Sequence, residues 1–211
     1  MKGSGPALTA ALLVLTATAL ACRGGSGTVS PTPSTPTASP TAAAPPTPAS
    51  SDEEMLASMA LTLDEVTAAS PDRQWGESEA LNVRELTEQD RQAGVLAGWA
   101  VQYNADAGVQ LTTGLELYET TERASKSLET VLEGLNQDFV DEFDAGEIGD
   151  ETQGLIIVPT DQKVYVDVFL RVGRVLAFLD LASANPEKRD EVTAFAAKLA
   201  ERIRATPGGG G

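Results

Sequence analysis

From Gly24 to Ser51 the chain is built almost entirely of Gly, Ser, Thr, Ala and Pro, and this stretch limits how much of the protein can fold. Pro31, Pro33, Pro36, Pro40, Pro45, Pro46 and Pro48 are spread through it. With so little apolar surface to bury, it cannot offset the entropy lost on ordering. Proline biases it towards polyproline II at about 3.1 Å per residue, a spacer reaching several tens of ångströms. Residues 22–51 are therefore expected to form a disordered linker whose Ser and Thr are compositionally suited to carrying sugars. One domain is expected over residues 52–206, about 155 residues, and a flexible glycine tail over 207–211.

Ahead of the linker, Lys2 precedes an apolar run from Ala7 to Leu20 that ends in Ala19-Leu20-Ala21-Cys22. The run is short of the about 20 apolar residues that span a bilayer. It resembles a bacterial lipoprotein signal peptide, with small Ala21 before the cut and Cys22 directly after it; the leucine stands one place later than in the commonest form. The resemblance implies that residues 1–21 are removed. Cys22 would then carry a diacylglyceryl thioether and an amide-linked acyl chain such as palmitate. The partner so implied is the lipid bilayer, and the expected location is the extracytoplasmic face of the cell membrane. Each buried CH₂ contributes about 0.8 kcal/mol, so two or three chains anchor durably where one does not.

The chain has no histidine, and Cys22 is its one cysteine. That excludes Ser-His-Asp and Cys-His catalysis, as well as zinc sites made of His and Cys. The formal charge of −16 becomes −17 once Lys2 leaves with residues 1–21, which disfavours nucleic acid as a partner. No cofactor is expected.

Periodicity assigns the elements. Ser51-Asp52-Glu53-Glu54 reads as a helix start, continued by a stripe of Met55, Leu56, Met59, Leu63 and Val66 that ends near Ser70-Pro71. Leu81 to Gln92 is a short helix or irregular. Val95 to Asn104 and Val109 to Glu119, divided by Ala105-Asp106-Ala107-Gly108, predict a hairpin. Thr120 or Thr121 then caps a helix bearing Ala124, Leu128, Val131, Leu132 and Leu135 on one face. Leu155 to Val158 is a short strand stopped by Pro159, with a turn at Thr160-Asp161-Gln162. The strand from Val164 to Leu170 returns through Gly173 to Val175–Leu181, which is apolar on both faces and should be central. Asn185 caps a last helix with Pro186 in its first turn and Val192, Phe195, Ala196, Leu199 and Ile203 buried. The expected class is α+β, an antiparallel sheet of about five strands with helices packed on it, in the order α-β-β-α-β-β-β-α.

Candidate sites are few. The acids Asp138, Asp141, Glu142, Asp144, Glu147, Asp150 and Glu151 suggest calcium, but with Gly146 at the turn position Phe143 and Ala145 stand where an EF-hand needs carboxylates. The reading is a solvated loop and no metal. Trp99 and Tyr103 share a strand face and are candidate ligand-binding residues, although core packing is the favoured account of the aromatics in so ring-poor a chain. Acids are too numerous for a catalytic pair to be singled out, so no catalytic residue is assigned.

Leu61-Thr62-Leu63-Asp64-Glu65-Val66, Ala97-Gly98-Trp99-Ala100-Val101-Gln102-Tyr103, Ile148-Gly149-Asp150-Glu151 and Phe169-Leu170-Arg171-Val172-Gly173-Arg174-Val175 together resemble a group of uncharacterised bacterial surface lipoproteins. The element order is similar to a PsbP-like α/β/α sandwich. The resemblance spans about Leu61 to Arg204 and implies a fold but no chemistry; Gly149 and Gly173 are read as turn residues. The expectation is a membrane-anchored, non-catalytic binding or accessory module for a small ligand, a cell-wall component or an envelope protein. A carboxylate-dependent hydrolase of the cell envelope and a purely structural surface protein are the alternatives.

Overall fold

Among the described residues the first helix starts at Ser51. A computed structural model describes residues 51–77, 84–135, 140–158, 164–183 and 188–209. The chain divides between Pro48 and Ala49 into two units, and the described residues belong to the second. The expected signal peptide, Cys22, nearly all of the linker, the turn at 160–162 and the Asn185-Pro186 cap lie outside the described residues.

Helix α1, Ser51–Met59, carries Asp52, Glu53 and Glu54 in its first turn, where the helix dipole favours anions, and buries Leu56 and Met59. The single stripe expected to run on to Val66 is two helices. Thr62 caps α2, Leu63–Ala69, through a capping box: Glu65 N donates to Thr62 Oγ1 at 3.3 Å and Thr62 N donates to Glu65 Oε2 at 2.9 Å. The reciprocal pair satisfies two helix-start donors and fixes Thr62 in extended backbone, which ends any continuous helix there.

The described strands form one antiparallel sheet in the order β1-β2-β3-β7-β6-β5-β4. They are β1 Trp75–Glu77, β2 Val95–Ala105, β3 Gln110–Tyr118, β4 Val140–Phe143, β5 Glu151–Ile157, β6 Val164–Val172 and β7 Val175–Ser183. The α+β antiparallel class is as expected, but the sheet has seven strands rather than about five. The two additions are the edges β1 and β4, three and four residues long, too short to show a period of two. Strand β7 sits between β3 and β6, the central place its two-sided apolarity requires.

Side chains of odd-numbered β3 and β7 residues and even-numbered β6 residues meet one layer of helices. Leu111, Leu115, Val166, Val168, Leu170, Leu179 and Leu181 pack with Leu56, Met59 and Val66, and with Phe195, Leu199 and Ile203 of α5, Arg189–Ala205. The opposite face takes α4, Thr121–Gly134, whose Ala124 and Leu128 pack on Val95, Tyr118 and Leu176. Thr120 caps α4, its hydroxyl accepting from Arg123 N. Thr87 and Asp90 form a second capping box at α3, Glu88–Ala93, within the stretch left open between helix and irregular chain. Helix α5 starts at Arg189, with no side-chain cap from Lys188. The expected glycine tail opens with a packed turn: Gly209 N donates to Thr206 O at 3.0 Å, and Gly209 is buried.

One guanidinium joins the first helices to the last. Arg202 on α5 donates to the Ser58 and Met59 carbonyls at the end of α1 and to Glu65 in α2 at 3.0 Å, occupying carbonyls that no later helical turn would satisfy. Burial pushes the Glu65 carboxyl up, but hydrogen bonds from Thr62 and Arg202 outweigh that and hold it below its ordinary value. Arg202→Ala is expected to lower stability by about 1–3 kcal/mol, read as a lower urea midpoint with an unchanged slope.

Candidate functional site

Two of the short motifs in the sequence meet in space. Gly149-Asp150-Glu151 leads into β5, and Arg171-Val172-Gly173 ends β6 and opens the β6–β7 turn. Arg171 Nη1 donates to Asp150 Oδ2 at 3.1 Å and to the Gly173 carbonyl at 3.0 Å, while its Nε donates to Glu151 Oε1 at 2.8 Å. The Gly173 amide donates to the same Asp150 carboxylate at 2.8 Å, and Asp150 N donates to Arg171 O at 2.7 Å. Each end of the clasp thus satisfies the other.

The glycines are explained by this geometry. Gly173 has φ +56°, as expected for its turn. Gly149 is required by close approach instead, since a Cβ there would stand 2.5 Å from the Arg171 carbonyl oxygen.

The clasp floors an open groove of about 360 Å³ between α4 and the sheet, lined by Thr121, Glu122, Ser125, Lys126, Glu129, Glu151 and Arg171. Ser125 Oγ donates to Glu151 Oε1 at 2.8 Å, tying α4 to the floor. Arg171 commits its Nε and Nη1 to the clasp, and the rim above it carries the Glu122 and Glu129 carboxylates, the Lys126 ammonium and the Thr121 hydroxyl. This rim is richer in acceptors than in donors.

A second groove, about 420 Å³, lies where α2, the β2–β3 turn and the start of α5 converge. Glu191 gathers its cations: Arg73 Nε at 3.0 Å and Lys188 Nζ at 3.2 Å, with Ser70 Oγ also donating to it. Burial raises the Glu191 carboxyl, but Ser70, Arg73 and Lys188 more than reverse this and hold it low.

A third feature lies apart from both grooves. Asp167 on β6 and Asp180 on β7 are directly opposed in the register, on the same face as α4. Asp167 is 8% exposed, and among the described residues no group donates to its Oδ1. Neither acid lines either groove.

The two aromatic candidates serve the core. Tyr103 is 1% exposed and its hydroxyl donates to the Leu61 carbonyl; burial, with Glu77 and Glu65 next, pushes the phenol far up. Trp99 is half-buried against the main core, and the register places it opposite Leu115 and Tyr103 opposite Leu111, on the face covered by α1 and α5. Neither lines the two grooves. The acidic stretch is dispersed. Asp141 and Glu142 lie exposed on edge strand β4, Asp144 Oδ1 accepts from Gly146 N at 2.8 Å, Asp150 and Glu151 belong to the clasp, and Asp138 is outside the described residues. Among the described residues no group of three or more such side chains is placed to hold a metal ion.

Sequence reasoning missed the Asp167–Asp180 pair, although the signal was present. Both acids interrupt apolar strands at positions that the Gly173 turn brings face to face.

With the fold in view, one solved structure is informative. The extracellular domain of PknH from Mycobacterium tuberculosis is similar to this chain. The match has a TM-score of 0.55 at 12% identity and covers 72% of this chain and 96% of the other. At that identity the likeness concerns the fold. No family model and no curated protein sequence matches the chain. Among the described residues no helix is long and apolar enough to cross a membrane.

Arg171→Met would leave Asp150 and Glu151 facing each other without a cation and the Gly173 carbonyl without its guanidinium donor. The loss expected is about 2–3 kcal/mol by urea unfolding, discounted because both acids are partly solvated.

Proposed function

We propose that the protein is an extracytoplasmic lipoprotein, held in the cell membrane through acylated Cys22, whose folded unit serves as a non-catalytic binding or accessory module. The observation that carries this reading is the order of parts along the chain: an apolar run, its lone cysteine, a proline-rich spacer, and a helix that begins at Ser51. The likeness in fold to an extracellular domain supports it. So does the resemblance to surface lipoproteins with a PsbP-like domain, whose motif residues build the Arg171 clasp.

The groove beside α4 is the binding surface in this reading. Its acceptor-rich rim suits a ligand offering ammonium groups or several hydrogen-bond donors, such as an amine-bearing envelope component or a basic segment of an envelope protein. Cys22→Ser is expected to move the protein from the detergent phase to the aqueous phase on phase partitioning; unchanged partitioning refutes the anchor. A thermal-shift screen of envelope metabolites is expected to favour cationic over anionic compounds. Glu129→Lys should abolish the preference, and a screen without any hit refutes the binding role.

The carboxylate-dependent hydrolase is the second reading, because Asp167 and Asp180 are the kind of acid pair it requires. Against it stands the burial of Asp167, which leaves a substrate no route to that carboxylate.

A further inference from the structure

We propose that the groove where α2, the β2–β3 turn and the start of α5 converge is a binding site for amino acids, and that it favours those with a second amino group. This groove and the one beside α4 lie at opposite ends of β3, since Asp106 precedes that strand and Thr121 follows it. The site therefore stands or falls separately from the binding surface proposed above.

One anion in the groove is shared by two cations. Arg73 and Lys188 both pair with Glu191, at 3.0 and 3.2 Å, and the Glu191 side chain is only 10% exposed. Against the cost of burial, Ser70, Arg73 and Lys188 together hold the Glu191 carboxyl low, so it keeps both cations in place at neutral pH. A single carboxylate balances only one of the two positive charges. Arg73 turns Nε and Nη2 to Glu191, and its Nη1 has no acceptor among the described residues. The Lys188 ammonium has three donors and directs one of them to Glu191. A ligand carboxylate entering here meets a guanidinium and an ammonium already held in position, and charge-assisted hydrogen bonds of this kind are the strong ones.

The groove also carries the opposite sign. Asp72 and Asp106 line it, both are exposed, and neither side chain has a hydrogen-bond or ion-pair partner among the described residues. The turn that presents Asp106 is fixed: Ala105 N donates to Val109 O at 2.8 Å, Val109 N donates to Asp106 O at 3.3 Å, and Ala107 holds φ +56°. Asp72 is adjacent to Arg73, which Glu191 anchors.

Three acids against two cations leave the lining with one negative charge in excess. The complementary ligand brings one carboxylate and two ammonium groups. A simple amino acid leaves one aspartate unanswered, a diamine offers nothing to Arg73 and Lys188, and a dicarboxylate meets like charge at Asp72 and Asp106. The volume of about 420 Å³ falls in the range of small-molecule sites, about 300–1,000 Å³.

The test uses the full-length chain, titrated with L-lysine and followed by calorimetry and by amide NMR shifts. Lysine is expected to shift the amides of Asp72, Arg73, Asp106 and Lys188. L-Alanine should bind about tenfold more weakly, and cadaverine and succinate more weakly still. The dipeptide alanyl-lysine separates a free amino acid from a peptide end: weaker binding than lysine is expected, and equal or tighter binding overturns the assignment to amino acids. Lys188→Gln should lower the affinity for lysine about tenfold and leave that for cadaverine unchanged, while Asp106→Asn should bring lysine down to the level of alanine. Both side chains reach solvent, so both variants are expected to keep the parental melting temperature; if either does not fold, the shift map and the ligand series decide. Absence of shifts at these residues overturns the proposal, as does cadaverine or succinate binding as tightly as lysine. Loss of lysine binding in Glu129→Lys also overturns it, by moving the ligand to the groove beside α4, and leaves the reading of the protein as a binding module intact.

Discussion

The fold rests on one strand that cannot face water on either side. Val175, Ala177, Leu179 and Leu181 point one way from β7, and Leu176, Phe178 and Ala182 point the other. Neighbouring strands protect its edges, and helices must cover both faces, which places α1, α2 and α5 in one layer and α4 in the other. A carboxyl on β6, next to this strand, can therefore be enclosed by the architecture, and this is why Asp167 is drawn away from solvent. Its environment is a consequence of where the sheet puts its centre.

The clasp around Arg171 has a related logic. Asp150 accepts from the Gly173 amide and from the Arg171 side chain, so an acid before β5 fixes the turn between β6 and β7. Ser125 adds α4 through Glu151. Three elements far apart in sequence are thus aligned by a few charge-assisted hydrogen bonds, and the groove takes its shape from them. Tyr118, Glu116 and Arg84 make a comparable network closer to β2: the phenol donates to Glu116 at 2.6 Å, and Arg84 bridges Glu116 and Asp90 at 2.7 and 2.8 Å.

Much of the fold was legible because its long elements repeat their patterns over many residues. The β2–β3 and β6–β7 hairpins, the Thr120 cap, the α5 stripe and the central place of β7 all follow from period and turn chemistry. The break between α1 and α2 was equally written, as Thr62 followed three residues later by Glu65, but the apolar stripe from Met55 to Val66 runs across it. Strands β1 and β4 were hidden because three or four residues carry no readable period. The candidate groove was not legible at all. Glu151 and Arg171 are brought together by strand register, and register is a property of the assembled sheet. Trp99 and Tyr103 show the converse: alternation placed them correctly on one face, but only the packed helices reveal that this face looks inward.

The position of the Arg202 guanidinium bears on how the domain meets mechanical load. Force arriving from the preceding chain enters through α1, and peeling that helix away first requires breaking the contacts by which Arg202 grips the Ser58 and Met59 carbonyls. Because Arg202 sits on the helix that packs against β6 and β7, the strain passes into the body of the sheet rather than staying in the first turns. The N-terminal end of the domain is built as a fastening.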